Sequence, residues 1–315
     1  MNQIIEQDMK QITNADLPWE MLKDKTVLVT GASGMLASYM VETLLYLGVR
    51  VIALVRDRCK AQERFGDRVR ITTKDIRYPV WIDEPIDYII HAASQSTRTY
   101  YDTDPVGTLE PNVLGTYNLL NLARQKGAKM VYFSTDVAEL DLKPTDSWAC
   151  YAIAKKMGET ICDSFYRQYG VENKIVRMSH TYGPGMRLDE ERIFAKYTNA
   201  ILTDGILDIY GSGENTKPFC YLADTILGIL TVLLKGLPNH PYNIGADHTI
   251  TINELAERLM KLFPERDLKI VHTDTEYNLI HKWPLDITEI KELGWEPTTS
   301  IEDGFRKVVN YYETK

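Results

Sequence analysis

Tyr151 and Lys155 are the two side chains in this sequence that are best suited to proton transfer. They lie four positions apart in the segment YAIAK, within residues 150–169, whose pattern predicts a helix with both on one face. A free phenol has a pKa of about 10, and a neighbouring ammonium lowers that pKa because it stabilises phenolate. The pair therefore indicates acid/base chemistry at a carbonyl or hydroxyl group. The alternative is an exposed Tyr and Lys on an ordinary helix.

Ser134, Thr135 and Asp136 stand at the end of a predicted strand, residues 130–134. The carboxyl ends of parallel strands lie beside the ligand crevice of an open α/β sheet. A hydroxyl at this place can hydrogen-bond the same substrate oxygen that Tyr151 protonates or deprotonates. These residues therefore favour an acid/base role for Tyr151 over an ordinary position on a helix surface.

A glycine-rich segment, TGASGMLA at residues 30–37, lies between a predicted strand and a predicted helix. Its spacing is G-x-x-G-x-x-A, one residue longer between the first two glycines than the usual dinucleotide fingerprint. Glycine permits a tight turn and lets backbone N–H groups approach a pyrophosphate at the start of the helix. The segment predicts a dinucleotide site, and the alternative is a tight strand-to-helix connection.

The end of the second predicted strand indicates which ribose the site accepts. An acidic residue there hydrogen-bonds a ribose 2′-hydroxyl, whereas a guanidinium pairs with a 2′-phosphate. Val55 stands where the acid is expected and Arg56 follows it, so we expect NADP(H). NAD(H) stays possible, because Asp57 could hydrogen-bond the ribose 2′-hydroxyl if the alignment were shifted by two residues. Asp75 and Ile76, after the third strand, are placed to meet an adenine, unless Asp75 is only a turn residue.

Short apolar runs alternate with longer helical patterns from residue 25 onward, as is typical of βαβ units. Strands are predicted at residues 26–30, 51–55, 69–72, 88–91, 130–134 and 174–178, and helices at 34–47, 105–125 and 150–169. Beyond residue 178 the pattern is mixed, with helices predicted at 192–203, 224–235, 252–262 and 301–312. The expected fold class is α/β, a Rossmann-type doubly wound parallel sheet with a smaller mixed α/β C-terminal substrate lobe.

The same pattern suggests where the domains begin and end. Residues 25–178 are expected to form the NAD(P)-binding Rossmann domain, with residues 222–250 contributing back to it. Residues 179–315 are expected to form mainly the substrate lobe. Residues 1–24 are an N-terminal extension with a helix near residues 19–23 and no evident chemistry.

Composition excludes several classes of protein. The 315 residues are 44% hydrophobic and 25% charged, which is ordinary for a globular chain with a sizeable core. A formal charge of -8 makes a nucleic-acid partner a poor fit. No apolar run approaches membrane-span length, so we expect a cytoplasmic protein. The cysteines favour free thiols and the histidines show no metal-binding spacing, so no metal is expected.

The chain resembles extended short-chain dehydrogenases/reductases of the nucleotide-sugar epimerase/dehydratase family. The likeness covers residue 25 to the C-terminus and is carried by TGASGMLA, HAAS, PNVLGT, FSTD, YAIAK, YGPG, GSGENTKPFCYLAD, YNIG and LGWEP, in that order. It implies a C-terminal lobe that binds a nucleotide-diphosphate sugar and a homodimer formed through the two long helices at 105–125 and 150–169. Activated-sugar synthesis for a surface polysaccharide, such as a capsule, is implied by family association.

The resemblance also implies residue roles. Tyr151 would be the acid/base, Lys155 would lower its pKa and bind the nicotinamide ribose, and Thr135 would orient the substrate oxygen. The expected catalytic residues are Tyr151, Lys155, Thr135 and Asp136. The expected cofactor-binding residues are Gly31, Ser33, Gly34, Met35, Leu36, Arg56, Lys60, Asp75, Ile76, Ala92, Ala93, Ser94, Asn112, Ser134, Tyr151, Lys155, Met178 and Ser179. The expected substrate-binding residues are Ser94, Thr135, His180, Arg192 and Lys217.

Val137 departs from the pattern of the family's dehydratases, which carry at this position a glutamate that removes the C5 proton. An aliphatic side chain cannot accept a proton. The decarboxylating relatives also use a glutamate near this position, with an arginine where this chain has Lys217. Glu139 is two residues further along the chain, so its side chain would point in a different direction from a glutamate at position 137. Elimination and decarboxylation are therefore disfavoured.

Three functions stay open. We expect first an NADPH-dependent reduction of a keto group on a nucleotide-linked sugar with a proton from Tyr151, because Arg56 suggests a cofactor that dissociates and is replenished. The alternative is an NAD-dependent nucleotide-sugar 4-epimerase, which needs only Tyr151, Lys155, Thr135 and a retained NAD. The third is an NADP-sensing binding protein, against which the intact Tyr151 and Lys155 argue.

Overall fold

The computed structural model describes residues 2–146, 148–273 and 285–314. The chain divides into two compact units. The sheet unit is formed by Thr13–Met178 and Gly228–Asn243, and the C-terminal unit by the described residues of Met1–Ile12, Ser179–Leu227 and Ile244–Lys315. Within the described residues, no helix is long and apolar enough to cross a membrane.

The strands of the described residues are numbered in chain order. They are β1 Thr26–Thr30, β2 Arg50–Val55, β3 Arg70–Thr73, β4 Tyr88–His91, β5 Lys129–Thr135, β6 Asn173–Met178, β7 Thr181–Tyr182, β8 Ile206–Tyr210, β9 Thr216–Lys217, β10 Cys220–Tyr221, β11 Pro241–Ile244, β12 Ile250–Thr251 and β13 Lys269–Thr273.

The helices are numbered in the same way. They are α1 Gln3–Thr13, α2 Met35–Tyr46, α3 Arg58–Phe65, α4 Thr99–Thr103, α5 Pro105–Glu110, α6 Thr116–Lys126, α7 Ala149–Tyr169, α8 Ile193–Leu202, α9 Leu222–Lys235, α10 Ile252–Leu262, α11 Thr288–Glu292 and α12 Ile301–Glu313. Single turns of 3-10 helix occur at Trp19–Leu22, Gly66–Arg68, Asp136–Glu139 and Pro264–Arg266.

The main sheet confirms the predicted α/β fold. Its strand order is β11-β6-β5-β4-β1-β2-β3, and the strands from β6 to β3 pair in parallel. The central strands are buried along their length, as parallel strands covered on both faces should be. The order reverses between β1 and β4, and a doubly wound sheet opens its ligand crevice at such a reversal.

The predicted helix at residues 105–125 is present, but it contains an irregular turn. A π-helical segment, Pro111–Gly115, joins α5 to α6. Pro111 lacks the N–H that an α-helix interior needs, so the regular hydrogen-bond ladder is interrupted there. A side chain at Gly115 would run into Ile76, so this turn packs closely against the residues that follow β3. π-bulges of this kind are frequent at functional sites.

Helix α1 was not predicted from the sequence and belongs to the C-terminal unit. Asp8 of α1 is fully buried, and its carboxylate accepts a 2.6 Å hydrogen bond from the Tyr221 hydroxyl and a 2.8 Å bond from Lys307 Nζ. A buried carboxylate needs such partners because its desolvation would otherwise be costly. Much of the N-terminal extension is therefore built into this unit and is not a loose tail.

Candidate functional site

The glycine-rich turn is shaped to approach a ligand with its backbone. Gly31 has φ +65°, and a Cβ there would lie 2.8 Å from the Cα of Ala93, so glycine is required. The N–H of Gly34 donates to the Gly31 carbonyl at 2.9 Å and leads into α2. Gly34 caps α2 without a side-chain hydrogen bond, and the first turn holds no acid. The positive end of α2 is thus available to an anion.

Two buried polar atoms near this turn lack a protein partner. They are Ser94 Oγ, just after β4, and Asn112 Oδ1 in the π-helical segment. The other amide atom of Asn112, Nδ2, donates to the Thr108 carbonyl at 2.7 Å, which fixes the side-chain orientation. Buried polar atoms are normally satisfied, so a polar ligand group or an ordered water is expected to meet them. Both residues are among those predicted from the sequence to bind the cofactor.

His91, at the end of β4, is a neutral structural histidine. Its ring nitrogens lie 3.2 Å from Thr30 Oγ1 and 3.1 Å from Thr116 Oγ1. Burial, and secondarily the charge of Lys155, lowers its pKa to about 3. The N–H of Ala93 donates to the same Thr30 hydroxyl at 3.1 Å. The histidine therefore links β1, β4 and the start of α6.

Charged residues after β2 occupy the expected ribose end of the site. Val55 ends β2 in register with Thr73, and Arg56 follows with its side chain exposed. The Asp57 carboxylate caps α3 by accepting from the N–H groups of Cys59 and Lys60 at 3.0 and 3.3 Å. The cap gives Asp57 a local structural role, and Arg56 is the charged residue directly at the strand end.

Asp75, after β3, is held by its neighbour Arg77. Arg77 donates to Asp75 Oδ2 from Nη2 at 2.7 Å and from Nε at 2.9 Å, and its Nη1 donates to Glu110 at 2.8 Å. The Arg77 guanidinium lowers the pKa of Asp75, and the charge of Arg56 contributes to the same shift. Asp75 is thus a fixed carboxylate next to the buried Ile76, beside the crevice end of the sheet.

Lys155 is buried beside the Tyr151 ring, as their spacing on α7 predicted. Its side chain is 3% exposed, and Nζ donates to the Phe133 carbonyl at 2.6 Å. Nζ lies 5.9 Å from the centroid of the Tyr151 ring and 5.2 Å from that of Tyr132. Burial lowers the pKa of Lys155 to about 7, although the charge of Glu159 opposes that shift. An ammonium this close stabilises a Tyr151 phenolate.

The end of β5 places the hydroxyl residues next to this pair. Thr135 Oγ1 donates to Asp136 Oδ1 at 3.1 Å, and Ser134 Oγ donates to Glu159 Oε1 at 2.5 Å. Val137 follows in the 3-10 turn and is 3% exposed, so no carboxylate lies at that position. Glu139 forms an ion pair with Arg177.

Sequence reasoning missed three contributors to this region: Tyr101, Glu159 and Arg177. Tyr101 stacks on Tyr151, and Arg177 binds Glu159. Glu159 could have been found from its spacing, since it lies four residues after Lys155 on one helix face. Tyr101 and Arg177 lie on other elements, and no local pattern signals their proximity.

The expected substrate residues beyond β6 lie in the C-terminal unit. His180 Nδ1 is 3.3 Å from Ser179 Oγ, and its ring meets that of Phe219 edge-on. Arg192 forms an ion pair with Glu190 at the start of α8. Lys217 is half-buried in β9, paired with Ile250 of β12. Of the cofactor set, Met178 ends β6 in the sheet unit. Among the described residues, no cluster of His, Cys, Asp and Glu could hold a metal ion.

The parallel sheet, the glycine-rich turn and the Tyr151–Lys155 pair define a class, the dinucleotide-dependent oxidoreductases of the extended short-chain type. A family model described as the NAD dependent epimerase/dehydratase family matches residues 27–245. The chain belongs to this family.

Similar proteins of known activity include a decarboxylase, an epimerase and a dehydratase. The chain is 30% identical to UDP-glucuronic acid decarboxylase 5 of Arabidopsis thaliana, over 88% of this chain and 86% of that protein. Its structure is similar to that of a UDP-glucose 4-epimerase of Thermotoga maritima, with a TM-score of 0.81, 26% identity, and coverage of 92% and 99%. A dTDP-glucose 4,6-dehydratase of Streptomyces venezuelae, solved with NAD bound, gives a TM-score of 0.75 at 26% identity, with coverage of 92% and 97%.

Proposed function

We propose that this protein is an NAD-dependent 4-epimerase of a nucleotide-diphosphate sugar. One observation carries the proposal: Lys155 lies beside the Tyr151 ring, while the buried, aliphatic Val137 stands where a second base would be needed. With Thr135 at the end of β5, Tyr151 and Lys155 would serve proton transfer at one oxygen. Epimerisation at C4 needs one acid/base that acts in both directions. Elimination and decarboxylation each need a further carboxylate near the position of Val137.

The residues of the sheet unit fit a nicotinamide dinucleotide. The turn at Gly31 and Gly34, with the start of α2, would hold the pyrophosphate, because backbone N–H groups and the helix end both favour an anion. The unpartnered Ser94 Oγ and Asn112 Oδ1 would meet polar cofactor atoms, and Lys155 would reach the nicotinamide ribose. When bound, the nicotinamide supplies a reversible hydride acceptor for the C4 hydrogen of the sugar.

Proton transfer falls to Tyr151. Its phenolate would take the proton of the sugar 4-hydroxyl during oxidation and return it to the ketone oxygen during reduction. Lys155 stabilises the phenolate through its charge, since its ammonium lies beside the Tyr151 ring in a buried site. Thr135 would hydrogen-bond the same sugar oxygen. Its hydroxyl, which donates to Asp136 in this structure, would exchange that bond for one to the sugar oxygen, because it has one proton to donate.

Some relatives are decarboxylases or dehydratases, so we compared what those two reactions need with the residues of this site. Both would need a carboxylate at the position of Val137. Asp136, directly before it, accepts a hydrogen bond from the Thr135 hydroxyl, and the next carboxylate along the chain is Glu139. Its carboxylate forms an ion pair with Arg177, which draws it into a structural role. This arrangement supports epimerisation over elimination or decarboxylation. The epimerases among the structural relatives support the epimerase over the keto reductase that the sequence first favoured.

A second candidate is the NADPH-dependent keto reductase, which one observation favours. Arg56 follows β2 directly, and Asp57 is engaged in capping α3. A guanidinium at that place suits a ribose 2′-phosphate. Lys60 contributes little to this argument because its ammonium lies 4.0 Å from Asp57 and is otherwise in solvent. Comparing NAD and NADP affinities in the wild type and Arg56→Ala, with Arg58→Ala as a control, tests the cofactor preference.

The substrate and partner assignments follow from the same proposal. Lys217 and His180 would contact the nucleotide diphosphate. Arg192 would first have to break its ion pair with Glu190 before it could do so. A homodimer would form through the long helices, which carry the exposed apolar side chains Leu109, Leu114, Tyr117, Ile153, Met157 and Tyr166. Apolar groups clustered on a surface indicate an interface.

A turnover experiment distinguishes the two candidates. UDP-glucose, UDP-glucuronic acid and dTDP-glucose are each incubated with the protein and either NAD or NADPH, and the products are separated by chromatography. The epimerase predicts a C4 epimer with no net change in nicotinamide absorbance, and Tyr151→Phe abolishes it. In a parallel incubation with a nucleotide-linked 4-keto sugar, stoichiometric NADPH oxidation would support the reductase instead.

A further inference from the structure

Glu159 is a buried carboxylate that the proposed mechanism leaves unused. It lies on α7 four residues after Lys155, so the two side chains share one helix face. It is 8% exposed. A buried charge is costly unless it is paired and hydrogen-bonded, so its partners indicate what it does.

Three donors hold Glu159. Ser134 Oγ donates to Oε1 at 2.5 Å, Arg177 Nε donates to Oε1 at 2.9 Å, and Arg177 Nη2 donates to Oε2 at 2.7 Å. The remaining Arg177 amino group, Nη1, pairs with Glu139, which is 54% exposed. Glu159, Arg177 and Glu139 thus form a hydrogen-bonded series of charges. Lys155, one helix turn from Glu159, feels its charge through space, so that the four make a charge chain of alternating sign. The chain runs from the buried lysine to the protein surface.

Lys155 needs a negative charge to remain protonated. Burial disfavours its ammonium, and the Phe133 carbonyl is an uncharged acceptor. The titratable groups facing it from the sheet are His91 of β4, which is neutral, and Tyr132 of β5, whose pKa burial raises. Tyr151 faces it from its own helix. Among the described groups, Glu159 supplies the negative charge that acts on Lys155.

We propose that Glu159 is a positioning residue for the acid/base pair. It keeps the Lys155 ammonium charged inside the site and, through Ser134, holds the end of β5 that carries Thr135. Arg177 donates to both carboxylate oxygens of Glu159 and so fixes the carboxylate in place beside Ser134. This inference deepens the proposed function, because it assumes that Tyr151 and Lys155 are the acid/base pair.

Titration of Lys155 by NMR tests this role directly. The Lys155 Cε resonance, assigned by comparison with Lys155→Arg, is followed against pH in the full chain without any nucleotide sugar. We expect a wild-type midpoint near 7 and a decrease of about one pH unit in Glu159→Gln. Glu139→Gln is the matched control, since it removes the exposed end of the charge chain and should leave the midpoint in place.

Removing Glu159 alone leaves Arg177 buried without its main partner, which is strongly destabilising. The double variant Glu159→Gln with Arg177→Met removes both charges and is expected to lower the midpoint in the same direction. An unchanged midpoint in a folded Glu159 variant, single or double, overturns the inference. Because no sugar is present, failure of the epimerase proposal would appear separately, as absent turnover in a wild type whose Lys155 titrates as expected.

Discussion

The ring of Tyr101 lies flat against the ring of Tyr151, with 5.1 Å between the centroids and 13° between the planes. Tyr101 is itself fixed, because its hydroxyl donates to the Ser96 carbonyl at 3.1 Å and its ring meets that of Trp148 edge-on. Stacked aromatic pairs contribute about 1 kcal/mol beyond the area they bury. Tyr101 therefore sets the plane in which the proposed acid/base presents its hydroxyl.

Replacing Tyr101 with leucine is expected to lower kcat about tenfold, because Tyr151 loses the ring that orients it. Steady-state kinetics on the nucleotide sugar that the protein turns over would measure the effect. Tyr101→Phe is the control, since it keeps the ring and loses only the bond to Ser96. A full kcat in Tyr101→Leu would show that the stacking does not orient Tyr151.

Acid is expected to destabilise the sheet unit through His91. Its folded-state pKa of about 3 lies below the ordinary value of 6.5, so the unfolded chain binds the proton first as pH falls. The free energy of unfolding should decrease by about 2 kcal/mol from this group between about pH 7 and about pH 5. Urea unfolding at several pH values measures it. His91→Gln should show a smaller decrease over that range, and an equal decrease in both proteins would contradict the assignment.

Asp8 is expected to be a major source of stability for the C-terminal unit. Asp8→Ala leaves Lys307 and Tyr221 facing a buried site without their acceptor, which should cost about 3 kcal/mol. Chemical unfolding of the full chain measures the loss. Glu6→Gln is the matched control on α1, because it breaks only the exposed pair with Lys10, and exposed ion pairs contribute little to stability. Similar losses in the two variants would refute the role of Asp8.

If the proposed dimer forms through the long helices, a charge placed on the exposed surface of α7 should disrupt it. Met157→Glu places a charge among the apolar side chains of the long helices and should dissociate the dimer without unfolding the chain. Sedimentation velocity reports the oligomeric state. Tyr46→Glu, at an exposed apolar position on α2, should leave the assembly intact. A wild type that sediments as a monomer would end the proposal.

Local sequence patterns predicted most of the sheet unit. Apolar runs gave β1 to β6, and the spacing of Tyr151 and Lys155 placed both on one face of α7, because helix and strand periodicities are set by neighbours in sequence. The turn at Gly31 was also predictable, since glycines between an apolar strand and a helix indicate a tight turn, and Gly31 has a positive φ. These features depend on residues a few positions apart.

Long-range contacts could not be predicted in this way. Helix α1 becomes a stable element because Asp8 meets Tyr221 and Lys307, which lie more than two hundred residues away in the chain. The pairing of Arg177 with Glu159 likewise depends on β6 lying next to β5 in the sheet. Such contacts follow from the tertiary fold and leave no local signature.

The most direct test of the central claim follows the hydrogen atoms of the sugar. A nucleotide sugar that the protein converts is incubated with it and NAD in D2O, and the product is analysed by mass spectrometry and NMR. The account predicts a C4 epimer with no solvent deuterium on carbon and no loss of water or carbon dioxide, because Val137 offers no base for C5. Deuterium at C5, or a dehydrated or decarboxylated product, would contradict it.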